Sequence, residues 1–376
     1  MGWSQGPRPC DHPHTVRGFS HRPARRGGPR HTRNVNTGVE AIGHTLATAA
    51  EQGLTVDELG ALVSEHVGSL VAHDGYLLVG MDPVFGTGAF LTRRHGYGVT
   101  TSRRMEALEV GNPCRFQRLA AAACPVGVLG TAAPDSAVTA RHDVPDYRRL
   151  MAAEGVGGEM RVALTSHSTA WGALVLLRAG GGTGFNRTDI GHARRLAPAL
   201  TAGVRRFAAS GPPRPSDDDL PPAVLVIGPD GTVVRATASA HRWIERFPTP
   251  DTGDGLAPPL WHLQLRARHG RPAHARLPTS RGWIALEAQP LHGGPEGEVV
   301  VTIQPARAAT LLDAVAAWHG LTPKEKAVAQ QAVRGLPVKR IARHLDLSAH
   351  TVNDHLKAIY RKIAVNSRDE LAAMLV

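Results

Sequence analysis

The sequence predicts a multidomain chain in which two mixed α+β domains precede an all-α domain of four helices. Three observations predict it. The length, 376 residues, suits two or three domains rather than one. Up to about residue 306, short apolar runs with strand alternation interleave with helical periodicities. Beyond residue 320 every apolar spacing is helical, and the segments are punctuated by cap residues.

Composition narrows the function classes. Hydrophobic residues make up 42%, enough for ordinary cores, yet no apolar run approaches the roughly 18 residues of a membrane span. The N-terminus carries Arg and His but no apolar segment, unlike a secretory signal. Three cysteines, Cys10, Cys114 and Cys124, are too scattered for a disulfide framework, so reduced thiols and a cytoplasmic location are expected. The formal charge of +11 is uneven. Residues 1–33 carry seven arginines against Asp11, residues 321–376 carry ten cations against five acids, and the span between is neutral. A basic, compact end attracts polyanions by counterion release. All five lysines lie after residue 320. A phosphate loop with its lysine, a Schiff-base lysine and a kinase-type lysine are therefore excluded before that point. The same count disfavours a phosphorelay receiver, since domains resembling that class use a lysine beside an acidic cluster and residues 1–320 hold none.

Taken in order, residues 1–37 are rich in Arg, Pro, Gly and His, hold almost no aliphatics, and read as a disordered basic head. Cys10, His12 and His14 match no zinc spacing. A first domain is expected over residues 38–210. Helical spacing covers 39–51 and 56–71, with Leu59, Leu62, Val63, Val67, Leu70 and Val71 inward. Residues 76–79 form a strand, and 105–122 a mostly helical stretch interrupted at 111–113. Residues 160–164 and 172–177 form two strands around a turn at 166–169, and 189–207 a closing helix with Ile190, Leu196 and Leu200 inward. The stretches GEMRVALTSHSTAWGALVLL (158–177) and FNRTDIGHARRLAPAL (185–200) resemble the GAF family of small sensory domains. The resemblance implies a small-molecule ligand without identifying its residues.

Residues 211–222, rich in Pro and Asp, form a linker. A second domain is expected over 223–306: strands at 223–227 and 232–235 about a Pro229–Gly231 turn, a short helix at 238–247, and a terminal hairpin of 283–288 with 298–303. This order resembles a PAS sensor at its ends, and an unrelated small α+β domain is the alternative. Residues 307–320 form a connector helix with Leu311, Leu312, Val315 and Trp318 on one face.

The last domain, 321–376, is the most legible. Thr322, Pro323 and Glu325 form a capping box with proline at the first helical position. That helix runs to Val333 and stops at Arg334 and Gly335. Val338 to Leu345 makes a second helix, with Val338, Ile341, Ala342 and Leu345 inward. Ser348 caps a third helix over 349–363, and Ser367 with Glu370 forms another capping box for the last. At 100° per residue, Val352, Leu356, Ile359 and Ile363 fall on one face of the third helix. His350, Asn353, Asp354, Lys357 and Arg361 fall on the other. A short turn followed by such a helix is the helix-turn-helix arrangement.

The segment resembles the LuxR-type DNA-binding domain across its whole length. The matching residues are Leu321, Thr322, Glu325, Val328, Gly335, Ile341, Ala342, Leu345, Leu347, Ser348, Thr351, Val352, His355, Leu356, Ile359, Tyr360, Lys362, Val365, Ser367 and Arg368. The resemblance implies that the third helix enters the major groove of double-stranded DNA. Asn353, Asp354 and Lys357 would then face bases, and Thr351, Arg361 and Lys362 phosphates. It also implies a homodimer through the last helix, for which Leu371, Met374 and Leu375 are the apolar candidates. Asn353 and Pro337 depart from the family pattern, which expects a basic residue and a small polar cap there.

The expected protein is a sequence-specific DNA-binding transcription regulator controlled by a signal at its sensory domains. RNA polymerase and an unidentified small molecule complete the expected partners, and no cofactor or metal is expected. Two other readings remain open at this point: a scaffold whose sensor-like domains dock proteins, and an enzyme with an appended DNA-binding domain. No HExxH, GxSxG or GxGxxG motif supports the last.

Overall fold

The computed structural model describes residues 42–46, 48 and 54–374, apart from residue 95 and stretches at 109–113, 131–144, 167–168, 211–215, 217–218, 248–255, 269–271, 280 and 294–296. The basic head and most of the linker lie outside the described residues.

The chain folds as two α+β units, each built on a five-stranded antiparallel sheet, followed by an all-α helical bundle. The first sheet runs in the order β2-β1-β5-β4-β3, and the second β7-β6-β10-β9-β8, so both follow one winding pattern. Their strands are β1 (Gly75–Met81), β2 (Gly88–Arg94), β3 (Val126–Gly130), β4 (Val156–Ser166) and β5 (Thr169–Ala179), then β6 (Ala223–Ile227), β7 (Val233–Ala236), β8 (Ala273–Thr279), β9 (Gly282–Pro290) and β10 (Val299–Pro305).

In the first unit β4 and β5 are buried over most of their length on both faces. Leu174 and Leu176 join the core under α1 (Val56–Gly68) and the long α5 (Arg187–Ser210). Val175 and Leu177 face the other way, into a core closed by α3 (Phe116–Ala121) and α4 (Pro145–Ala153). This alternation is the period-2 geometry of a sheet covered on both sides. Ile190, Leu196 and Leu200 of α5 are all buried, as expected. Gly203 lets α5 press against Leu46: a Cβ there would lie 2.5 Å from the Leu46 Cδ1 atom. The mostly helical stretch expected over 105–122 is two separate helices, α2 (Val99–Ala107) and α3. Strands β2 and β3 and helix α4 were not anticipated.

The second unit confirms both expected hairpins and a short helix, α6 (Ala240–Ile244). It adds α7 (Pro258–Arg268) and β8 between the short helix and the terminal hairpin, where the sequence pattern predicted no element. Its core gathers Trp243, Leu260, Leu263, Ile284, Leu286, Val299, Val301 and Ile303.

The two units are joined by a buried charge pair. Arg276 of β8 donates from Nε and Nη2 to the two Asp82 carboxylate oxygens at 2.5 and 2.6 Å, and both side chains are about 1% exposed. The guanidinium also lies over the Phe85 ring at 4.6 Å, and Phe85 stacks on His274 at 5.1 Å. Thr87 Oγ1 donates to the His274 carbonyl at 2.8 Å. Asp82 further accepts the Val84 and Phe85 amides, so its lone pairs are well used.

The connector α8 (Ala308–Trp318) buries Leu311, Leu312, Val315 and Trp318, the face expected of it. It packs between α5 and the bundle formed by α9 (Pro323–Val333), α10 (Val338–Leu345), α11 (Ala349–Ile363) and α12 (Arg368–Ala373). No described helix is long and apolar enough to cross a membrane.

Candidate nucleic-acid interface

The bundle is assembled by its caps. The Thr322 side chain accepts the Glu325 amide while Glu325 accepts the Thr322 amide, closing the capping box that opens α9. Gly335, at φ +85°, turns the chain out of α9. Asp346 adopts the left-handed region at φ +53°, and the Leu347 amide reaches back to the Ala342 carbonyl at 2.9 Å. One residue later Ser348 accepts the Thr351 amide at 3.0 Å and starts α11. The turn between α10 and α11 is therefore three residues long and hydrogen-bonded at both sides. At the last helix, Ser367 caps the Glu370 amide, but the Glu370 carboxylate accepts from the Asn366 amide rather than from Ser367. The expected reciprocal box is thus shifted by one residue.

Helix α11 divides as its spacing requires. Val352, Leu356, Ile359 and Ile363 are buried against α9 and α10. His350, Asn353, Asp354, Lys357 and Arg361 are exposed along the opposite face. Asp354 sits between two neighbours on its own helix face: His350 Nε2 lies 3.4 Å from one oxygen and the Lys357 ammonium 3.9 Å from the other. Both pairs are solvent-exposed and hold the carboxylate only loosely. Thr351 is half-buried, its hydroxyl 2.8 Å from Ser348 Oγ.

Lys362 departs from the expected set. Its ammonium lies 2.6 Å from the Glu325 carboxylate and 3.2 Å from the Gly320 carbonyl, and its side chain is largely covered. It ties the end of α11 to the start of α9. Burial raises the Glu325 pKa, but the Lys362 ammonium and the Thr322 cap outweigh it and hold the carboxyl below its ordinary value. The sign follows. The pair's contribution is present above the unfolded carboxylate value of about 4.3 and is lost as pH falls through the lower folded value. Lys362→Met should destabilise the bundle by about 1–3 kcal/mol at neutral pH, with a smaller difference at pH 3, read by thermal unfolding at both pH values. An equal loss at both would mean that the aliphatic stem, and not the charge, is what matters.

Leu371 also departs. A candidate for the dimer contact, it is fully buried inside the four-helix unit. Met374 is half-buried against the same core, and Leu375 lies outside the described residues.

Sequence reasoning passed over one group. Lys339, Arg340 and Arg343 stand exposed on α10, the helix preceding the reading helix. In a helix-turn-helix that first helix crosses the DNA backbone, where such cations meet phosphates. The signal was present in the K-R-x-x-R spacing of this helix.

A two-helix unit with a three-residue turn, a polar exposed second helix and a basic flank defines the class: a helix-turn-helix DNA-binding domain. Residues 319–375 match the family described as bacterial regulatory proteins, luxR family, so this domain is of the LuxR type. The nitrate/nitrite response regulator protein NarL of Escherichia coli is 36% identical over an alignment covering 24% of this chain and 48% of NarL. The chain thus spans about half the length of the curated relatives it matches. Among solved structures, Escherichia coli SdiA aligns at 11% identity with a TM-score of 0.35, covering 89% of this chain and 95% of SdiA. The phycoerythrobilin-bound GAF domain of a cyanobacterial phytochrome aligns at 12% identity with a TM-score of 0.31, covering 47% of this chain and 97% of that domain. Scores this low assign no fold, which rests on the sheet topology above.

Proposed function

We propose that the chain is a transcription regulator that binds double-stranded DNA through α11 and is controlled through its two α+β units. In this reading the units divide near residues 38–210 and 223–306, with the linker and the connector helix between and after them. The observation that carries the reading is the clean separation of α11. Four apolar residues lock it to the bundle, and five polar residues stand exposed on the other side. Asn353 and Lys357, one helical turn apart, are suited to base edges: lysine donates to guanine acceptors, and asparagine pairs with adenine through two bonds. Arg361 and the hydroxyl of Thr351, joined by Lys339, Arg340 and Arg343, supply the phosphate contacts.

The active form is a homodimer whose two reading helices address half-sites about 34 Å apart. Among the described apolar residues of the last helix, Met374 remains available for the contact, since Leu371 is taken by the core. A small molecule held by the α+β units is the expected signal, and RNA polymerase the expected downstream partner. Selection of bound duplexes from a random pool tests the reading. Enrichment of a two-fold symmetric site is the expected result, and a pool that never departs from random would overturn it.

Asp354 supplies a further test. A carboxylate near phosphates opposes binding unless it accepts from a cytosine amine. Asp354→Asn should therefore tighten binding to random DNA by a few-fold while relaxing preference at one base pair, as measured by competition titration. Unchanged binding to random DNA would place Asp354 outside the phosphate field.

A further inference from the structure

Asp354 is the one acid of α11, and it stands on the exposed face among His350, Asn353, Lys357 and Arg361. Its two oxygens have unlike neighbours. Lys357 brings an ammonium to 3.9 Å of one, and an ammonium is a lasting charge near neutral pH. His350 brings Nε2 to 3.4 Å of the other, and an imidazole is charged only when protonated. His350 lies four residues before Asp354, the spacing at which side chains on a helix meet.

The His350 side chain is 86% exposed, so no other element covers it and a duplex can reach it. The other charged or titratable groups at this end of the domain stand on α10 and the turn: Lys339, Arg340, Arg343, His344 and Asp346, all exposed. His355, further along α11, is half-buried.

The geometry gives the ring two chemical faces. A ring nitrogen beside a carboxylate carries its hydrogen there, so the second nitrogen, Nδ1, accepts in the neutral ring and donates in the charged one. The neutral ring suits a base amine. The charged ring suits a phosphate or a guanine acceptor, and it also cancels the Asp354 charge. Two influences oppose each other before DNA arrives: the positive end of a helix disfavours a cation, and a carboxylate one turn on favours it. Phosphates on the same face add to the second. A proton taken up on binding makes affinity rise as pH falls through the imidazole range.

We propose that His350 is a positioning residue that sets how strongly Asp354 opposes DNA. The duplex-bound helix takes up a proton at His350, and the charged ring neutralises the carboxylate and turns a donor to the duplex. The proposal rests on α11 being the reading helix.

Titrations of the full chain with a random duplex at about pH 5.5 and about pH 8 test this. Asp354→Asn should tighten binding a few-fold at the higher pH and by less than about twofold at the lower, where the charged ring already offsets the carboxylate. In a His350→Gln background the gain should be the same at both pH values. In a His350→Arg background, which keeps a charge throughout, it should be small at both. His344 and His355 are present in every one of these proteins, so their titration cancels. The changed side chains are all exposed, so the bundle keeps its fold. A gain from Asp354→Asn that is equal at both pH values with His350 in place overturns the proposal. So does a gain that still varies with pH in the His350→Gln background. Arg361→Ala, measured alongside, separates the two claims. If it leaves affinity unchanged, α11 does not meet DNA and both fail; if it weakens binding while the Asp354→Asn gain ignores pH, the proposal alone fails.

Discussion

Arg276→Ala should lower the stability of the chain by about 3–5 kcal/mol, because it leaves the Asp82 carboxylate buried without its guanidinium. The magnitude follows from the burial of both partners and the two-point geometry at 2.5 and 2.6 Å. Removing one member of such a pair is far more damaging than replacing both. The double change Asp82→Leu with Arg276→Met should therefore recover most of the loss, since two packed apolar chains are often as stable as the pair they replace. Urea unfolding of the three proteins tests this. A loss below about 1 kcal/mol in Arg276→Ala would show that the contact between the two units is open to water in solution.

Leu371→Asp should abolish binding to a single half-site and to a palindrome alike. A fully buried leucine contributes about 2–5 kcal/mol through its packing, and an unpaired carboxylate in its place adds a desolvation cost. For a domain this small the sum exceeds ordinary stability. The expected result is loss of the bundle's cooperative melting transition together with all specific DNA binding. If half-site binding survives while palindrome binding is lost, Leu371 lies at a subunit contact and not in the core of the bundle.

The contrast between these two residues shows what the sequence made legible. The DNA-binding domain could be read closely because its signals are local. Thr322, Pro323 and Glu325 announce one helix, Ser348 another, and Val352, Leu356, Ile359 and Ile363 mark the inward face at fixed spacing. The failures there concerned contacts between distant positions. Lys362 meets Glu325 across 37 residues of chain, and Leu371 is covered by helices that begin far before it.

The α+β units were read less well for a related reason. Strand β2 carries Thr92 and two arginines, so it lacks an apolar alternation, yet Thr92 is 1% exposed because its hydroxyl meets Asp57 at 2.7 Å. Strand β8 hides Arg276, whose partner lies 194 residues away. Helix α7 opens with Pro258 and Pro259 in its first turn, and these mask Leu260, Leu263 and Ala267 at helical spacing. Burial of a polar residue is decided by a partner, and a partner remote in sequence leaves no mark beside it.

The central claim is that α11 reads DNA, and one set of titrations tests it most directly. Affinity for a selected site and for a random duplex should be measured against salt for the wild-type chain, Asn353→Ala, Lys357→Ala and Arg361→Ala. Arg361→Ala is predicted to weaken both duplexes alike and to reduce the salt slope by about 1. Lys357→Ala is predicted to narrow the gap between selected and random DNA by roughly 1–3 kcal/mol, and Asn353→Ala to relax preference at one or two neighbouring base pairs. If all three variants lose selected and random binding in equal proportion, α11 is not the reading element and the account is wrong.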